Sequence, residues 1–307
     1  MKDTEVLILL QDHMTKTGRT QAAIARQIGI SPAAINQYLK GEYGAGIANI
    51  ERKIKSYLTR ETDKGDISLF KHEFIPTYFS GRVIETARFC HLESEVGVVI
   101  GDPGTGKTTA VKHYAATNLD AILIEADPGY NAKAVLEDIL LKLNGETGKN
   151  LHRMMADVIS RLKDSGRLII IDEAENLPHK ALEVIRRIHD KAEIGILFTG
   201  MPRLISNLRG KRGEFAQLYS RVGKLTNLNH LRAEMPDALE ADTELIVSTY
   251  LPGTNGYWKN LHLASKGNPR VLVKLIRRST RLAEVNHTKI NAEVDRKSTR
   301  LNSSHRT

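Results

Sequence analysis

The chain of 307 residues carries 45 Lys and Arg against 36 Asp and Glu, for a formal net charge of +9 and a pI of about 9.5. That excess favours a polyanionic partner such as nucleic acid, and the length suits two or three small domains, each with its own core. A single cysteine, Cys90, excludes an internal disulfide framework and fits a reducing compartment. No apolar run reaches the length of a membrane span, and Met1-Lys-Asp-Thr-Glu5 lacks the apolar centre of a signal peptide, so a cytoplasmic location is expected.

Residues 1–58 read as a first unit. Thr20 to Ile28 has the spacing of a short helix that Gly29 stops, and Ser31 caps a second helix with Pro32 at its first position, running to Leu39 and Gly41. Two short helices joined by a glycine-bearing turn make a helix-turn-helix. Ile24, Ile28, Ile30, Ile35 and Leu39 are its expected core. The pattern resembles the DNA-binding domains of the lambda-repressor and Cro class, whose second helix enters the major groove. By position that resemblance turns Gln21, Pro32, Ala33, Asn36 and Gln37 toward DNA, with Arg19, Arg26 and Lys40 beside phosphates. Through residue 60 there are nine Lys and Arg against five Asp and Glu, a net of +4. A small helical domain used for protein contacts fits the same pattern.

The polar stretch Thr59 to Asp66 reads as part of a linker spanning 59–72. Glu73 to Phe79 then reads as extended and Arg82 to His91 as helical. From Val96 the chain alternates strand and helix, which calls for a parallel sheet with right-handed crossovers. The expected strands are 96–100, 121–125, 168–171, 194–199 and 224–228, and the helices between them include 132–143, 151–163 and 180–191.

Two stretches carry the chemistry. Gly101-Asp-Pro-Gly-Thr-Gly-Lys-Thr108 follows the first strand and opens a helix, which is the context of a P-loop. The glycines Gly101, Gly104 and Gly106 let the backbone curl so that the N–H groups of Asp102, Pro103's neighbours, Thr105 and the helix start at Thr109 converge on phosphate. Lys107 is placed to reach the β- and γ-phosphates of ATP and Thr108 to sit on Mg²⁺. The second stretch, Leu168-Ile-Ile-Ile-Asp172-Glu173, is a buried parallel strand ending in two carboxylates. Asp172 suits the metal's water shell, and Glu173 suits a base that orients and deprotonates the attacking water.

Between these motifs lies an extra helix–strand step, as in AAA+ ATPases, and the fold class expected from that resemblance is α/β with sheet order 5-1-4-3-2, a helical lid and the small all-α unit in front. The resemblance assigns Thr199, ending the fourth strand, to the polar γ-phosphate sensor. It assigns Arg221 to an arginine finger supplied to a neighbouring subunit and Arg270, in Gly267-Asn-Pro-Arg270, to a sensor on the lid. The segment before the P-loop lies against adenine in such ATPases, which nominates Ile75 and Pro76; plain packing would account for them equally.

Over most of its length the chain resembles the phage Mu B transposition protein family. The resemblance rests on the helix-turn-helix, Arg88-Phe89, Ile169-Ile-Ile-Asp-Glu-Ala174, Leu182-Glu183 and Phe215-Ala-Gln-Leu-Tyr-Ser-Arg221. It implies an ATPase that coats double-stranded target DNA as a homo-oligomeric filament, with little sequence preference. It further implies delivery of that DNA to a transposase and stimulation of strand transfer. The alternatives are an ATP-switched helix-turn-helix regulator and an AAA+ ATPase that remodels a protein partner.

Between Arg203 and Arg232 seven Lys and Arg stand against Glu214 alone. Arg209, Lys211 and Arg212 are therefore candidate DNA contacts, with Lys149 and Arg153 a second set; a solvated charged face is the plainer reading. On these readings 73–235 is the ATPase core and 236–294 a helical lid, with Leu272, Leu275 and Ile276 inward and Arg277, Arg278 and Arg281 outward. Asp295 to His305 has no apolar period and resembles a translated sequencing-library adapter, so 295–307 is expected to be non-native.

Overall fold

The computed structural model describes residues 4–44, 46–65, 74–148, 150–210, 219–254 and 256–285. The chain divides into two compact units, residues 1–72 and 73–307.

The described residues of the first unit form four helices: α1 (Thr4–Thr17), α2 (Gln21–Ile28), α3 (Pro32–Lys40) and α4 (Ile47–Gly65). The caps act as their sequence demands. Thr20 Oγ1 accepts from Ala23 N at 3.3 Å and Ser31 Oγ from Ala34 N at 3.1 Å, while Gly29 and Gly41 close the two helices in the left-handed region. Ile24, Ala25, Ile35 and Tyr38 are fully buried against Val6, Leu10, Ile50, Ile54 and Tyr57, whereas Ile28, Ile30 and Leu39 are only partly covered. Tyr38 takes the central place because its hydroxyl reaches Glu51 at 3.3 Å, so its ring can be buried without an orphaned oxygen. Residues 59–65 continue α4. Their Arg, Glu and Lys are good enough helix formers to extend a helix already anchored by Ile50, Ile54 and Tyr57. Buried Glu61 is paired with Arg19 at 3.0 Å.

The second unit is built on five parallel strands: β1 (Val96–Ile100), β2 (Ala121–Glu125), β3 (Leu168–Asp172), β4 (Gly195–Gly200) and β5 (Val222–Asn227), in the order β2-β3-β4-β1-β5. Read from the other edge this is the expected 5-1-4-3-2. Successive side chains point to opposite faces, so Ile169 and Ile171 join one core and Leu168 and Ile170 the other. α7 (Ala132–Lys142), α8 (Leu151–Leu162) and α9 (His179–Ala192) cover the first face; α5 (Tyr78–Glu93) and α6 (Lys107–Thr117) cover the second. Burial on both faces is why β3 is an unbroken run of apolar residues.

Cys90 on α5 lies under two strand glycines: a Cβ at Gly97 would stand 2.3 Å from its Sγ, and one at Gly195 2.1 Å from its carbonyl oxygen. Burial pushes its thiol up to about 12, which removes it as a nucleophile.

Helix α5 begins at Tyr78, earlier than the expected Arg82, because Thr77 caps it by accepting from Ser80 N at 3.2 Å and Asp242 accepts from Tyr78 N and Phe79 N at 2.6 and 3.2 Å. Helices α10 (Arg203–Arg209) and α11 (Leu228–Glu234) follow β4 and β5. The lid comprises α12 (Pro236–Tyr250), α13 (Trp258–Ser265) and α14 (Pro269–Val285). Leu272, Leu275 and Ile276 are buried and Arg278 and Arg281 exposed, as the periodicity requires, while Arg277 is half-buried. No described helix is long and apolar enough to cross a membrane.

Candidate active site

The site forms where β1, β3 and β4 end. Gly101 N donates to Gly200 O at 3.2 Å, which ties the start of the loop to the end of β4. The chain then passes through Gly104 and Gly106, both left-handed at φ 82° and 96°, before α6 begins at Lys107. Glycine suits both positions because side-chain-bearing residues are strained there. At Gly104 there is a second reason: a Cβ would meet Asn268 Oδ1 at 2.6 Å and Arg270 Cβ at 2.9 Å.

Lys107 lies within this loop, its Nζ donating to Gly101 O at 2.6 Å, Asp102 O at 3.0 Å and Thr105 Oγ1 at 3.4 Å. Burial lowers its pKa, opposed by the charges of Asp172, Glu175 and Asp102, and Arg270 lowers it further. A cation so desolvated gains when an anion arrives beside it. Asp172 is 2 % exposed; its Oδ1 accepts from Thr199 Oγ1 at 2.5 Å, and Thr199 is fully buried. Its second oxygen, Oδ2, is buried and accepts no hydrogen bond among the described residues. A buried, half-satisfied carboxylate beside a P-loop is the donor that a hydrated hard cation requires, so the residues fit Mg²⁺.

Glu173 is exposed and left-handed at φ 53°, and its Oε2 accepts from Asn176 Nδ2 at 3.3 Å. Thr108 is half-buried and Thr109 exposed on the first turn of α6. The lid reaches this group directly. Asn268 Nδ2 donates to Pro103 O at 3.0 Å, and Arg270 N approaches Gly104 O at 3.4 Å. Asn229 of α11 adds a reciprocal pair, accepting from Asp102 N at 2.9 Å and donating to Asp102 Oδ1 at 2.8 Å. The sequence does not mark Asn229 or Asn268 as a partner of the P-loop, because each lies more than a hundred residues from the group it holds.

Residues 101–109, Asp172, Glu173, Thr199 and Arg270 are therefore brought together. Arg221 is not. It immediately precedes β5, whose first residue pairs with Val96 at the start of β1, so it stands at the opposite end of the strands, roughly 16 Å of strand from the P-loop. There its Nε donates to Asp190 Oδ1 at 2.5 Å, and Arg186 holds Asp190 Oδ2 at 2.6 Å.

Ile75 is half-buried ahead of α5; beside it Phe74 stacks on His113, with centroids 3.8 Å apart. In the first unit Pro32, Ala33, Asn36 and Gln37 are exposed and Gln21 half-buried, while Arg19 is engaged by Glu61, Tyr57 and Gln27 and so is not a free phosphate contact. Arg153 is exposed at the start of α8, and Arg209 is exposed with its guanidinium over Tyr219. Lys149, Lys211, Arg212 and residues 295–307 lie outside the described residues.

Comparisons with known proteins agree with this geometry. Residues 91–208 match the family model described as an AAA domain. The chain is 28 % identical over 246 residues to the Mu-like prophage FluMu DNA transposition protein B of Haemophilus influenzae, covering 78 % of this chain and 83 % of that one. It is 30 % identical over 213 residues to the ATP-dependent target DNA activator B of Escherichia phage Mu, covering 67 % of each. Among solved structures, the Aeropyrum pernix ORC2 protein superposes with a TM-score of 0.56 at 19 % identity, over 75 % of this chain and 70 % of that one, a likeness of fold. The chain is an AAA ATPase and belongs to the family of the phage Mu target DNA activator B.

Proposed function

We propose that this protein is an ATP-dependent, largely sequence-non-specific binder of target DNA in transposition, one that assembles with copies of itself on the duplex and presents it to a transposase. The observation that carries the reading is the preorganised phosphate cradle. Two left-handed glycines shape it, Lys107 is buried within it, and beside it lies an Asp172 oxygen with no hydrogen-bond partner among the described residues. Support for the DNA and transposition half comes from the relatives, one named a DNA transposition protein B and another an ATP-dependent target DNA activator B.

Thr108 and Asp172 would hold Mg²⁺, which when bound neutralises phosphate charge. Lys107 exchanges its carbonyl partners for phosphate oxygens, and the N-terminus of α6 adds its dipole. Thr199 fixes the orientation of Asp172 and Glu173 takes a proton from the attacking water. Arg221 completes the site of a neighbouring copy, since its own P-loop is a strand length away.

The exposed Asn36 and Gln37 support groove contact by the first unit, and the exposed Arg153 and Arg209 support phosphate contact by the second. Salt-sensitive duplex binding that appears with ATP and vanishes in Lys107→Ala is the expected result. Binding by that variant equal to wild type would sink the reading. A discrete palindromic footprint in place of uniform coverage would instead favour the ATP-switched regulator.

A further inference from the structure

We infer that Glu175 is a second carboxylate of the magnesium site, beside Asp172, and that the pair makes ATP binding depend on the metal. The inference rests on the reading of the P-loop and Asp172 as a Mg²⁺–ATP site and deepens it. Glu175 lies in the single 3-10 turn, Ala174–Asn176, that follows β3. Its backbone is fixed by Asn207 of α10, whose Nδ2 donates to Glu175 O at 3.0 Å. Its side chain is 5 % exposed and packs over the end of β4. A Cβ at Gly200 would stand 2.1 Å from Glu175 Oε2 and 3.2 Å from its Cδ, so β4 finishes on glycine where the carboxylate meets the backbone. Gly200 O accepts from Gly101 N at 3.2 Å, and the preceding residue, Thr199, donates to Asp172 Oδ1. Glu175 Oε2 therefore sits where β4 joins the phosphate loop, one residue along the strand from the group that holds Asp172.

Two buried carboxylate oxygens here, Asp172 Oδ2 and Glu175 Oε2, have no hydrogen-bond partner among the described residues. The neighbouring cations do not meet that demand. Lys107 directs its ammonium hydrogens to Gly101 O, Asp102 O and Thr105 Oγ1. Arg203 Nη2 donates to Asn176 Oδ1 at 3.3 Å and stands 3.9 Å from the other oxygen of Glu175, Oε1. Phosphate oxygens do not meet it either, because they accept hydrogen bonds and bring further negative charge. The donor that suits both oxygens is water held by a hard cation, whose charge also offsets two buried carboxylates. Mg²⁺ keeps several of its waters, so a second acid finds a donor without displacing Thr108 or Asp172. A nucleotide arriving without its metal meets two desolvated negative charges instead.

The test titrates the full chain by calorimetry with a slowly hydrolysed ATP analogue, once with saturating Mg²⁺ and once with EDTA, in wild type, Glu175→Gln, Glu175→Ala and Arg203→Ala. The second Glu175 variant keeps the test valid should the first fold poorly. The ratio of affinity with metal to affinity without it is expected to fall by about tenfold or more in both Glu175 variants. Glu175→Gln is further expected to bind the metal-free analogue more tightly than wild type, a gain that damage to the fold does not produce. Arg203→Ala is expected to keep the wild-type ratio. A wild-type ratio in both Glu175 variants overturns the inference alone, even where kcat falls, since Glu175 would then act on the attacking water. An equal loss in Arg203→Ala also overturns it, because Glu175 would then serve to place that arginine. A wild type that binds the analogue equally with and without Mg²⁺, or not at all, overturns the reading of the site itself.

Discussion

The two ends of the parallel strands make opposite use of their charged residues. At the end where β1, β3 and β4 finish, Lys107 and Asp172 are buried, and Asp172 keeps one oxygen without a hydrogen-bond partner among the described residues. At the end where β5 begins, Arg221 and Arg186 share Asp190, and Arg186 also clamps Glu183. One end holds electrostatic capacity not yet used and the other pairs its charges within the chain. The first end is thereby suited to receive a ligand within the chain. The second holds Arg221 at a defined place, as its proposed action on a neighbouring copy requires.

Arg221→Ala is expected to have the largest effect. If the arginine works in trans, kcat falls by about 10³-fold with nucleotide affinity intact, and turnover per chain rises with protein concentration in the wild type only. Turnover in dilute monomer equal to that of the assembled protein would end the idea. Glu173→Gln is expected to lower kcat by about 10²-fold or more while a fluorescent ATP analogue still binds, and a comparable loss of binding would move Glu173 from base to ligand. Gly104→Ala should cost about 1–3 kcal/mol of nucleotide affinity, since its Cβ collides with Asn268 at a left-handed φ; titration calorimetry reads this directly. The smallest effect expected is for Asn229→Ala, about 1 kcal/mol or some fivefold in ATP affinity, because Asp102 N then loses a neutral partner and keeps access to water. An affinity equal to wild type would show that the P-loop keeps its shape without α11.

Much of this arrangement is legible in the chain. Lys107 and Thr108 follow their glycines directly, and Asp172 follows four branched apolar residues, so each motif carries its own structural context. The capped helices α2 and α3 are legible for the same reason: Thr20, Ser31, Gly29 and Gly41 act within one turn of themselves. Helix α10 is less so, being seven residues long and without a side-chain cap. Tyr38 is misjudged by periodicity alone, since its burial depends on Glu51 from another helix.

Every feature whose cause lies within a few residues can be read directly from the chain: the phosphate loop, the acidic strand, the alternation that forces a parallel sheet, and the capped helical pair. The distant groups that serve them are selected by packing. Asn229 and Asn268 bracket the P-loop, Asp190 holds Arg221, and Asn176 stands between Glu173 and Arg203. The reason is physical: a lone polar side chain has many possible partners along an extended chain, and it acquires one partner only when packing brings two segments within hydrogen-bond reach.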